Sequence, residues 1–168
     1  SSATITALGA SSVAGGAVGY GIARKIQPTS LPQAVAGFHS LVGLAALGTA
    51  YGDFIHHWDD FASMDGFHST SLFLGAWMGG ITFTGSIIAS GKLAELKHIS
   101  SLFDNKPLSL PGRDAINAGM LAGTLGCLGT FCMTKDPAVA NTALLAGSGL
   151  SGLLGLHMTA SIGGADMP

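Results

Sequence analysis

The residues Gln33–Tyr51 read QAVAGFHSLVGLAALGTAY, and the only ionisable group before the terminal tyrosine is His39. Its imidazole has an unperturbed pKa of about 6.5, the side-chain value closest to physiological pH. An ionisable group in so apolar a run is costly, and such groups mark ion paths or proton relays. The spacing and residue types therefore make His39 a candidate for binding a proton. Hydroxyls stand where they can assist. Thr82, Thr84 and Ser86 fall in another apolar run, and Thr82 and Ser86, four apart, share a helix face. Ser86 lies at a depth similar to that of His39 on an oppositely running segment, so the two are expected to meet across an interface. A hydroxyl with water can pass or orient a proton there. The alternative for Ser40, Thr82 and Thr84 is a hydrogen bond back to their own helix.

Two further groups are candidates. His157 lies near the end of the last apolar run with Thr159 and Ser161, where it can also reach the membrane interface, so it is the weaker candidate. Asp166 sits in Gly163-Gly164-Ala165-Asp166-Met167-Pro168. The glycines allow unusual backbone angles, and Pro168 can begin another helix. An acid at such a joint can take a proton or hold a neighbouring domain; the alternative is a plain helix cap. The stretch Asp53–His68 gathers Asp53, Asp59, Asp60 and Asp65 with His56, His57 and His68. Those types can ligate a metal, but a solvated hairpin is expected, and no residue is assigned to a metal. Cys127 and Cys132, five apart on one segment, face different directions, so neither a disulfide nor a metal pair is expected.

The elements that position these residues follow from composition. Of 168 residues only 10% are charged and 48% are hydrophobic. A soluble domain carries about 25% charged residues, so this chain cannot cover a water-facing surface of its size. Crossing a bilayer takes about 20 mostly apolar residues, and five segments qualify: Ala3–Ala23, Gln33–Tyr51, Ser71–Ser90, Ala115–Met133 and Ala138–Ile162. Period-two alternation is absent, which disfavours a β-barrel. The expected fold is all-α, a polytopic transmembrane bundle of about five spans forming a single domain and part of a larger bundle. With a net charge of −2 and no basic block, nucleic acid is not an expected partner.

Charge orients the bundle. Arg24 and Lys25 follow the first span, Lys92, Lys97, Lys106 and Arg113 follow the third, and only Lys135 lies opposite. Positively charged loops face the cytoplasm or the mitochondrial matrix, so Asp166 is expected on that inner side. Glycine pairs four apart, Gly15 and Gly19, Gly75 and Gly79, Gly119 and Gly123, predict close helix contacts. Gly147-Ser148-Gly149-Leu150-Ser151-Gly152 matches the G-x-G-x-x-G pattern, but that fingerprint needs a strand before it and a helix opening at it. Lying mid-span, it reads as packing, and no cofactor is assigned to this chain.

Several stretches together resemble the membrane domain of proton-translocating NAD(P) transhydrogenase: AGGAVGYGIARK at Ala14–Lys25, LPQAVAGFHSLVGLAA at Leu31–Ala46, TFTGSIIASGKL at Thr82–Leu93, LSLPGR at Leu108–Arg113 and TASIGGADMP at Thr159–Pro168. They follow the family's order along nearly the whole chain, while Asp53–His68 and the fourth span match only in character. The resemblance implies an enzyme that reduces NADP+ with NADH and couples this to inward proton movement. It implies His39 as the proton-binding residue, Ser86 in the channel, and Asp166 near the junction with the NADP(H)-binding domain. NAD(H) and NADP(H) would bind in partner domains on the inner side. The partners implied are those domains, further transmembrane helices, the lipid bilayer and a second copy of the complete enzyme. The first motif resembles single-polypeptide forms and favours the mitochondrial inner membrane over a bacterial plasma membrane. The family's domain continues past GGADMP, so the chain reads as a fragment or as one subunit of a split enzyme, without hydride transfer of its own. The alternative is a subunit of another proton-coupled transporter or channel with no redox activity, or a purely structural scaffold in which His39 packs dry.

Overall fold

The computed structural model describes residues 2–108 and 110–167. Five helices run α1 Ser2–Ala23, α2 Leu31–His56, α3 Gly66–Leu93, α4 Arg113–Met133 and α5 Pro137–Ala160. Short 3-10 turns occupy Pro28–Ser30, Phe61–Ser63, Ser101–Phe103 and Gly164–Asp166, and no strand occurs among the described residues. All five helices are long and apolar enough to cross a membrane. The fold is thus an all-α bundle of membrane-spanning length, as the composition requires.

Local chemistry sets the ends. Asp65 caps α3 by accepting the His68 N–H at 2.9 Å, and Asp136 caps α5 by accepting the Ala138 N–H at 2.8 Å. A capping carboxylate satisfies an amide that has no partner in the first turn. Gly112 precedes α4 with φ of 74°, a left-handed conformation that glycine adopts without strain. Pro168 lies outside the described residues, and so does any helix it begins.

The helices differ from the apolar runs at their ends. The second span was expected over 33–51 and the third over 71–90; α2 and α3 each extend beyond both limits. Hydropathy marks only the lipid-facing middle, whereas the backbone ladder continues through polar residues at the interface. Asp53 and His56 therefore lie in α2 and His68 in α3, so the expected Asp53–His68 hairpin is much shorter. Conversely, α5 stops at Ala160, two residues before the expected Ile162. Ile162 N–H reaches back only to Thr159 O, at 3.1 Å, and Gly163 is already extended.

Helix α3 is the centre of the bundle, with α2 on one flank and α5 on another, and α4 packs on α5. No residue of α1 is buried. The α2–α3 crossing is a glycine contact: a Cβ on Gly43 would stand 2.8 Å from Gly79 O, and one on Gly79 would stand 2.7 Å from Gly43 O. On the α5 flank, a Cβ on Gly85 would stand 2.9 Å from Thr159 Oγ1. Thr84 Oγ1 donates to Gly152 O at 2.7 Å and ties the same two helices. Of the six glycines expected at contacts, Gly79 makes a close one. Gly123 would meet Leu150 Cδ1 at 3.1 Å, Gly75 is in ordinary contact range of Ala50, and Gly15, Gly19 and Gly119 face open space. A spacing of four places two glycines on one face without saying what that face meets.

An aromatic core closes one end. Phe54 and Phe131 are fully buried, and Phe61 meets them edge-on at centroid distances of 5.6 and 5.4 Å. Such pairs contribute about 0.5–1.5 kcal/mol beyond area burial. At the same end Lys135 Nζ donates to Ala62 O at 3.0 Å, joining the α4–α5 and α2–α3 connections. Cys127 and Cys132 are free thiols.

Candidate proton-binding site

At the end away from the aromatic core, the first half of α2, the last turns of α3, the end of α5 and the Gly164–Asp166 turn line an open cavity of about 520 Å³. Its walls are mainly aliphatic, from side chains such as Val35 and Ala89, and its polar groups are His39, Ser86, Thr159 and Asp166. The three residues singled out first in the sequence, His39, Ser86 and Asp166, are therefore brought to one place. They come from α2, from α3 and from the turn after α5.

The imidazole is presented in a defined way. His39 Nδ1 lies 2.9 Å from Val35 O. A carbonyl oxygen only accepts, so Nδ1 carries the hydrogen and Nε2 carries the lone pair. The backbone of α2 thereby selects the tautomer that leaves the Nε2 lone pair free of the helix. Ser40, beside it, is buried and donates back to Gly37 O at 2.7 Å, as the helix-bonded reading had it. Thr84 is likewise occupied, with Gly80 O and Gly152 O. Among the described residues, Ser86 Oγ and Thr159 Oγ1 have no such bond, so both hydroxyls are available to the cavity.

Asp166 is placed by a scaffold the sequence did not reveal. Lys92 counted there as one more inner loop charge, but it lies in the last turn of α3 and is 1% exposed. Its ammonium donates to Ala160 O and Ile162 O at 2.9 Å each and to Lys106 O at 3.1 Å. Three donors meet three carbonyls, which is what a buried ammonium requires. Cations also suit a helix C-terminus, here that of α5. Gly164 N–H donates to Asn105 O at 2.9 Å, and Leu108 N–H to Ala160 O at 2.9 Å. These bonds fix the break after α5 and hence the turn carrying Asp166. A signal was present: Lys92 stands seven residues after Gly85, on the stripe of α3 that meets α5.

His157 is elsewhere. Its Nδ1–H donates to Asn117 Oδ1 of α4 at 2.7 Å, and its buried Nε2 has no partner among the described residues. It belongs to the α4–α5 contact and does not line the cavity, and Asn117, its partner, went unnoticed in the sequence.

A family model for the NAD(P) transhydrogenase beta subunit matches residues 1–168. The chain belongs to that family. NAD(P) transhydrogenase subunit beta of Rhodospirillum rubrum is 39% identical over 158 residues, which is 92% of this chain, and the subunit of that name from a named strain of the species matches equally. The chain spans 32% of the length of these relatives. Within the family match, GFHSLVGLAA and IGGADMP supply His39 and Asp166 to one cavity from α2 and from the turn after α5. Gly147–Gly152 lies inside α5, and a Cβ on Gly147 would strike the Phe73 ring, so that stretch packs against α3.

Proposed function

We propose that these helices form the proton-carrying membrane part of an NAD(P) transhydrogenase, with His39 as its proton-binding residue. The observation that carries this reading is the shared cavity of His39, Ser86 and Asp166. His39 Nε2 takes the proton, and the hydroxyls of Ser86 and Thr159 orient the water that delivers or removes it. A charge on His39 then acts on Asp166 at the inner mouth of the same cavity. That inner position is supported by the inner-facing basic loops, since Lys92 holds the α3–α4 connection against the turn bearing Asp166.

Hydride passes from NADH to NADP+ in partner domains beyond these residues, and this chain contributes the protonation state that those domains sense. Coupling requires the NADP(H)-binding states to differ in affinity for the protonated and unprotonated membrane part. The magnitudes are compatible: a charge crossing the membrane gains about 2.3 kcal/mol per 100 mV, and coupling energies are typically about 1–3 kcal/mol. The partners are further transmembrane helices, the NAD(H)- and NADP(H)-binding domains, the bilayer and a second copy of the complete enzyme. Both a mitochondrial inner membrane and a bacterial plasma membrane give this orientation; the first motif favours the former, and the Rhodospirillum rubrum relatives are bacterial.

The test uses the intact enzyme in sealed vesicles, with proton movement and NADH-to-NADP+ hydride transfer read together. His39→Leu is expected to abolish proton movement and to remove the dependence of hydride transfer on the proton gradient. Normal proton-coupled turnover in that variant rules the reading out. Proton movement that depends on His39 but is indifferent to both nucleotides favours a plain channel instead.

A further inference from the structure

A second cluster lies at the opposite end of α2 and α3 from His39. Asp53 is in the last turn of α2, His57 follows that helix, and His68 is in the first turn of α3. Asp53 and His57 are four apart and so share a face. The Asp65 cap starts α3 where His68 comes over that face. The result is one carboxylate between two imidazoles: His68 Nε2 lies 2.6 Å from Asp53 Oδ2, and His57 Nδ1 lies 3.3 Å from Asp53 Oδ1. The two rings meet edge to face at 5.0 Å. One ligand atom from each residue falls within 4.8 Å of the other two.

We propose that Asp53, His57 and His68 form a binding site for a divalent transition-metal ion such as Zn2+. Ligands about 2.0–2.2 Å from a tetrahedral ion stand roughly 3.4 Å apart, so small side-chain rotations from the present spacing complete the set. Two imidazole nitrogens select zinc-like ions over Mg2+ and Ca2+, which take oxygen ligands. The fourth position belongs to water. The three side chains are about one-third exposed, 29% for His57 and 36% for Asp53 and His68. A groove of about 490 Å³, which Asp53 and His68 line with Thr49 and Ser71, gives an ion access. His57 Nδ1 also lies 3.0 Å from Asp53 O. Ligation through His57 Nδ1 and His68 Nε2 requires each ring to move its proton to its other nitrogen, a tautomer change without change of charge. An ion held there links the end of α2 to the start of α3 across their connection.

The test is metal titration of the intact enzyme in detergent, with Co2+ absorption displaced by Zn2+ and bound metal counted after desalting. His57→Gln and His68→Gln are each expected to bind one equivalent fewer, or to bind that equivalent about tenfold or more weakly. His56→Gln is the control: its ring touches His57 at 5.0 Å but is not one of the three. It is expected to match the unaltered enzyme. His39 is present throughout, so metal bound near it cancels in the comparison. His57→Gln retains both the Asp53–His68 hydrogen bond and the Asp65 cap, and therefore keeps the local fold. Unaltered affinity and stoichiometry in His57→Gln overturns the site.

Discussion

Lys92 and His39 are both ionisable residues within the spans, and they are handled in opposite ways. His39 has one nitrogen tied to its helix and the other left for chemistry. Lys92 has every donor matched to a carbonyl and nothing left over. The first arrangement suits a residue that changes protonation, and the second suits a fixed strut. Replacing Lys92 by Leu would leave the carbonyls of Ile162 and Lys106 without their partner, while Ala160 O keeps the Leu108 N–H, at about 1–3 kcal/mol for each orphaned carbonyl that stays buried. Lys92→Leu is therefore expected to lower the thermal unfolding temperature of the intact enzyme by several degrees. It is also expected to weaken proton-coupled hydride transfer, because the turn carrying Asp166 loses its anchor. An unfolding temperature equal to that of the unaltered enzyme contradicts the strut role. His39 was legible in the sequence because its type is anomalous in an apolar run. Lys92 was not, because a lysine at the end of a span looks the same whether it reaches water or turns inward.

At the scale of elements, the α2–α3 seam positions the cavity, and glycine decides how closely these helices approach. Gly79 and Gly75 test this on one helix. A methyl at Gly79 would press on Gly43 O and Leu47 N at 2.7 and 2.6 Å, whereas one at Gly75 would meet Ala50 Cβ at 3.9 Å. Gly79→Ala is expected to destabilise the enzyme by about 1–3 kcal/mol, the usual cost of overpacking. Gly75→Ala is expected to be near neutral or stabilising, since alanine is the better helix former. Equal effects on unfolding in detergent would count against a close glycine seam. The sequence showed that small residues recur at helical spacing. It missed Gly43, which has no partner at that spacing but stands opposite Gly79. The length of α2 was also underestimated, because the polar turn Asp53–His56 is helical for backbone reasons that hydropathy does not report.

At the scale of the whole molecule, alternating loop ends give an orientation that labelling can check. Lys97 and Asp59 are exposed at opposite ends of the bundle. In an otherwise cysteine-free enzyme, Lys97→Cys is expected to react with a membrane-impermeant maleimide only from the side of the nucleotide-binding domains. Asp59→Cys is expected to react only from the other side. Reaction of both from one face would invert or break the topology. The same topology separates the two polar clusters. His39, Ser86 and Asp166 lie at the end expected to face inward, and Asp53, His57 and His68 at the opposite end, with the glycine crossing between them.

The sequence alone determined the class of fold, the number of spans, the orientation expected of them and the identity of the anomalous histidine. These follow from one-dimensional quantities: apolar run length, charge placement and a titratable side chain out of place. Its motifs also pointed to the family that the whole-chain match shows. Only the tertiary structure decided which polar groups share a space. Ser86 and Thr159 were set apart from Thr84 and Ser40 by which helix face meets a neighbour. His157 was removed to the α4–α5 contact for the same reason. Asp53, His57 and His68, spread over what read as a solvated hairpin, became a ligand-spaced triad once two helices extended into it. Helical periodicity fixes which residues share a face, but the rotation of each helix against its neighbours is set by packing across residues distant in the chain.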